Sequence, residues 1–196
     1  MMLVLREMFF VEISLVLCYN QVKYVVGGQS IMPIWYEVEH SKTSICNFME
    51  CNWHFHDFKI ERVCYLSDEN ITELFLKYDE LENSIILKFI NVQAMNIAVK
   101  VDFGCADEIM GSVLLLTENK QFLWIDNDSW GDKSEHHIEE LKKDSSWIQA
   151  ENIIWAVTDK YGNPTEMPTN KIDQTWNVYG KTEHRHFNLT PYTEYK

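Results

Sequence analysis

Residues 58–101 read FKIERVCYLSDENITELFLKYDELENSIILKFINVQAMNIAVKV, and this stretch decides the fold. Apolar residues recur at every second position inside short runs, and Asp, Glu, Asn and Ser bound each run, the pattern of half-buried antiparallel strands. Four strands are expected: FKIERVCYL, ITELFLKY, SIILKFINV and MNIAVKV. In the last, Met95, Ile97, Val99 and Val101 share one face and Asn96, Ala98 and Lys100 the other. The connections Ser67–Asn70 and Asp79–Asn83 are short and polar, so neighbouring strands should pair as a meander.

Working outward, SVLLLT and QFLWID flank a Glu118-Asn119 turn and predict a hairpin, and ENIIWAVT predicts a further strand. One short helix is expected over SEHHIEELKK. Ser134 would cap it, with Glu135 at its positive end, Ile138 and Leu141 on one face, and Lys142-Lys143 at its negative end. The expected class is therefore mainly β (α+β), an antiparallel meander forming a sandwich or curved sheet with one short helix.

Three regions are expected. Residues 1–31 read as an N-terminal extension, 32–164 as the antiparallel β domain, and 165–196 as a peripheral aromatic tail with one edge strand around WNVY. The apolar run MFFVEISLVLCY carries Glu12 in its middle and no small-residue cleavage site follows, so it is not read as a secretory signal. Glu12, Asn20 and Lys23 interrupt it as a membrane span. Gly27-Gly28 ahead of Met32 matches an in-frame reading of a ribosome-binding sequence, and the expectation is that the physiological chain starts at Met32. Arg6, Lys23, Glu7 and Glu12 cancel, so the charge belongs to the remainder.

That charge is large. With 30 acidic against 17 basic side chains the chain carries −13, which disfavours phosphate-rich nucleic acid and anionic membrane surfaces alike. The 46% apolar content is too high for disorder. Five cysteines, Cys18, Cys46, Cys51, Cys64 and Cys105, are odd in number and widely spaced, with no CxxC pair, which points to a reduced, cytoplasmic setting.

Two clusters carry candidate chemistry. On an extended backbone His54 and His56 would face the same way, and with Asp57 they are the low-ranking metal candidates, short of the ligands a closed site needs. A metal-dependent hydrolase built on them is the alternative function; no metal or other cofactor is expected in the main reading. His184 and His186 form a second pair, while His136 and His137 diverge by about 100° on a helix. The loop Asp126–Asp132 opens like a calcium loop, but Trp130 takes the fifth place and His137 stands where the bidentate Glu belongs. Asp126, Asp128 and Asp132 around Trp130 instead suit a basic protein partner, and these four are the expected partner-binding residues. No nucleophile elbow, phosphate loop or dinucleotide fingerprint is present, and Cys51 three residues before His54 is not a catalytic spacing.

The segment Trp53–Ile60, followed by three short strands ending in Phe89-Ile90-Asn91-Val92, resembles the opening of small acidic all-β bacterial proteins, some of them immunity proteins of toxin–immunity systems and others uncharacterised. The resemblance covers residues 52–101 and rests on the His-Asp before the first strand. It implies a cytosolic, non-catalytic protein that binds and blocks a cognate toxin by a charged surface, and the acidic balance makes the expected partner basic.

Overall fold

The computed structural model describes residues 25–26, 29–30, 35–78, 84–97, 108–109, 111–126, 135–159, 161–178 and 180–193. The chain divides into two compact units, Met1–Met32 and Pro33–Lys196. In the first, β1 (Val25–Val26) pairs antiparallel with β2 (Gln29–Ser30).

The second unit is mainly β. In chain order it contains β3 (Tyr36–Val38), α1 (Lys42–Cys51), β4 (Phe58–Leu66), β5 (Ile71–Lys77), β6 (Ser84–Asn96) and β7 (Glu108–Ile109). Then follow β8 (Val113–Leu116), β9 (Phe122–Ile125), α2 (Glu135–Asp144), β10 (Trp147–Thr158), α3 (Thr169–Ile172), β11 (Asp173–Val178), β12 (Lys181–His186) and β13 (Thr190–Pro191). Nine strands form one open sheet in the order β13-β3-β10-β6-β5-β4-β7, with the β8–β9 hairpin joined to β10. Every pairing is antiparallel, and β4-β5-β6 is the expected meander.

Two long strands organise the sheet. β10 pairs with β6 along its length on one side, and on the other with β9 over Trp147–Ala150 and with β3 over Ile153–Trp155. Within the first of those halves the register against β6 shifts at Gln149/Ala150, and Asn91 on β6 takes a φ of 56°. Such irregularities bend a strand and raise its twist, so one pair of strands serves two differently oriented parts of the sheet. The hydrophobic core holds Phe48, Phe55, Phe58, Leu74, Leu87, Phe89, Trp124, Ile153 and Trp155, all buried. An aromatic row runs through it: Tyr36 to Trp155 at 5.5 Å, Trp155 to Phe48 at 5.4 Å, Phe48 to Phe55 at 5.4 Å and Phe55 to Phe58 at 5.6 Å between ring centroids.

Three expectations are corrected. A second ten-residue helix, α1, precedes the meander, its buried face supplied by Phe48, Met49 and Cys51 with Ile45 half-buried. MNIAVKV does not open a separate strand. β6 runs on through Met95 and Asn96, because the ladder resumes at Ala94 opposite Gln149 after a one-residue irregularity at Gln93; residues 98–101 lie outside the described residues. The tail is not peripheral. β11 and β12 form a hairpin turned by Gly180 at φ 77°, Phe187 is buried, and β13 pairs with β3. Tyr192 N–H adds a bond to Trp35 O at 2.7 Å.

Candidate functional site

The His54/His56 cluster lies between α1 and β4, and its backbone decides its chemistry. Trp53, His54 and Phe55 have φ of 51°, 52° and 56°, a left-handed turn closed by Phe55 N–H to Asn52 O at 2.8 Å and His56 N–H to Trp53 O at 3.0 Å. Such a conformation costs an L-residue roughly 1–2 kcal/mol, so neighbours must hold it. They do. Buried Phe55 plugs the aromatic row, and His54 O accepts both Ser112 N–H at 2.7 Å and Ser112 Oγ–H at 3.1 Å. Asp57 N–H meanwhile reaches Ile109 O at 2.9 Å. The turn thus anchors the link between β7 and β8.

This geometry corrects the extended reading of the histidines. In a three-residue turn, side chains two apart diverge by about 120°, so His54 and His56 do not share a face. His56 Nδ1 instead pairs with Asp57 Oδ1 at 2.8 Å, an exposed contact of little energetic weight. His184 and His186 do alternate on β12, where they contact Thr175 Oγ1 at 3.1 Å and the Asp173 carboxylate, respectively. Among the described residues no group of three or more His, Cys, Asp and Glu side chains converges.

Behind the turn sits a polar node that sequence reading misses. Buried Gln174 on β11 donates through Nε2 to Cys51 O at 3.1 Å and Lys171 O at 3.0 Å, while its Oε1 accepts the indole N–H of Trp176 at 2.9 Å and of Trp53 at 3.3 Å. Arg185 lies 5.1 Å over the Trp176 ring and bonds Glu50 at 3.0 Å. Asn52 is fully buried, donating from Nδ2 to Phe48 O at 2.8 Å while its Oδ1 has no partner. Burial pushes the Cys51 thiol up to about 12, against the opposing pull of Lys171, so at neutral pH it is a protonated core group and not a nucleophile. Burial also holds Lys171 below the usual lysine range, with Cys51 opposing. No local pattern marks Gln174, because two of its four partners, Cys51 O and the Trp53 indole, come from over 120 residues away.

Of the expected partner-binding residues, Asp126 is corrected. It is 5% exposed, its Oδ1 accepts Ser146 N–H at 2.8 Å, and its own N–H reaches Ser146 O at 2.9 Å. The carboxylate thereby continues the β9–β10 ladder one rung past Ile125 and faces protein, not solvent. Asp128, Trp130 and Asp132 lie outside the described residues, as do Ser134, Asp79–Asn83, Cys18 and Cys105. Among the described cysteines, Cys46 and Cys51 carry free thiols. Among the described residues no helix is long and apolar enough to cross a membrane.

Carboxylates nevertheless outnumber Lys and Arg among the exposed described residues. Glu61, Asp68, Glu69, Glu118, Glu139, Glu140 and Glu151 are all exposed. No protein-family model, curated protein or solved structure matches the chain.

Proposed function

We propose that this chain is a non-catalytic, cytosolic protein-binding domain of the immunity type, which captures a basic partner such as a toxin through its acidic surface. The observation that carries the reading is the net charge of −13, with carboxylates exposed around the sheet. A surface of one sign raises the local concentration of an oppositely charged partner and speeds its encounter. The free thiols of Cys46 and Cys51 agree with a reducing compartment. Asp128, Trp130 and Asp132 keep their place as partner contacts on the grounds of their sequence, and Asp126 becomes the buried post that holds the start of that loop.

The test is co-expression with the products of genes adjacent to this one. A basic toxin among them should be neutralised. Its association rate should fall about tenfold between 50 and 200 mM salt and slow further with Asp128→Lys. Neutralisation with a rate indifferent to salt, or no neutralisation by any neighbouring pair, overturns the reading.

A further inference from the structure

We propose that the far half of β6, Asn91–Asn96, is a docking edge that takes an extended basic segment of the partner as an added strand. This inference rests on the capture reading above and gives that capture a place on the fold. The sheet supplies the edge. β5 pairs with β6 only from Ser84 to Ile90, and beyond it Val92 N–H reaches Asn70 O at 3.3 Å in the β4–β5 turn. Past Val92 no described strand pairs with that side of β6, and Gln93, Ala94, Met95 and Asn96 are exposed. An unpaired strand edge presents main-chain donors and acceptors to another chain.

Composition distinguishes this edge from those of β12 and β13. Between Lys88 and Lys100 eleven consecutive residues carry no charge, and none is Pro or Gly. Natural sheets blunt exposed edges with charges and prolines, and here β13 ends in Pro191 while β12 carries Lys181, Glu183 and Arg185. β6 lacks both devices over its overhang.

The surroundings select the occupant. Tyr65 is 50% exposed and pairs across β4–β5 with Thr72, whose Oγ1 donates to Met95 Sδ at 3.4 Å. Met95 is itself 38% exposed, so an apolar strip lies along the edge. Carboxylates flank it: Asp68 and Glu69 in the turn beside Val92, and Glu151 on β10, held by Asn91 Nδ2 at 2.9 Å. A strand alternating cations with apolar side chains meets both features. Pairing with a second copy would instead appose the same carboxylates and two charges of −13.

The full chain is mixed with an acetylated octapeptide alternating lysine with valine, and separately with its glutamate counterpart, while amide exchange is followed residue by residue. The lysine peptide should slow exchange across Gln93–Asn96, and the glutamate peptide should not. Gln93→Lys places a cation on the edge, and Asp68→Lys with Glu69→Lys reverses its rim. Each should weaken lysine-peptide binding about fivefold or more at low salt while leaving the melting temperature near wild type. Salt-sensitive binding of the lysine peptide without protection of Gln93–Asn96 overturns the docking edge and leaves the acidic-capture reading standing. Binding of neither peptide, or equal binding of both, removes both; protection that grows with protein concentration alone assigns the edge to self-pairing and overturns the proposal.

Discussion

Gln174 satisfies two carbonyls and two indoles at once, so one substitution there strands groups on three segments of chain. Gln174→Leu keeps the volume and removes all four bonds, and it should cost about 2–4 kcal/mol in urea unfolding, since stranded buried groups lose roughly 1–3 kcal/mol each and some regain water. A loss under about 1 kcal/mol would mean the node is solvated. Asp159 offers a pH-dependent counterpart. Burial raises its pKa, but bonds from Asn163 N–H, the Asn163 side chain, Tyr161 N–H and Gly162 N–H outweigh that, and the net shift is downward. A folded pKa below the unfolded one stabilises above the unfolded value of about 3.8 and is lost as pH falls through the folded value. Asp159→Asn should therefore lower the urea midpoint at pH 6 and converge on wild type below pH 3; a constant gap across that range would refute the link. Little of this was legible in the sequence. Asp126 reads as one more surface carboxylate until Ser146 is seen against it, because depth is not a property of a residue's neighbours in sequence.

The elements were more legible where one face meets solvent. Alternation located the strands over 58–66, 71–77 and 84–92, and the hairpin around Glu118-Asn119, because a half-buried strand must separate apolar from polar residues at period two. It failed at Asn91, where one left-handed residue lets β6 bend and continue. It also failed at α1, whose ten residues hold only Ile45, Phe48, Met49 and Cys51 as the apolar face. That helix has a start signal: Ser41 Oγ accepts Ser44 N–H at 3.1 Å, while Ser44 Oγ accepts Glu39 N–H at 2.9 Å. Ser41→Ala should cost about 1 kcal/mol, seen as a lower urea midpoint with an unchanged slope. An unchanged midpoint would show that packing of Phe48 and Met49 alone holds the first turn.

At the scale of the whole molecule, Pro33–Lys196 is compact by itself. A chain beginning at Met32 should melt within about 2 °C of the full-length protein, a shift corresponding to about 0.5–1 kcal/mol for a domain of this size. A drop of 5 °C or more would show that Phe9, Phe10, Ile13 or Leu17 contributes to the core. The sequence by itself determined the class of fold and the sign of the surface, since alternation and charge are summed along the chain and survive any arrangement of it. Only the tertiary structure decided which strands stand beside β10, that β13 adds an edge strand beside β3, that the His54–His56 segment is a left-handed turn, and that β6 overhangs its neighbour. These depend on contacts between residues far apart in sequence, such as Gln174 with Trp53 and Ser112 with His54, and no local pattern encodes a partner more than fifty positions away.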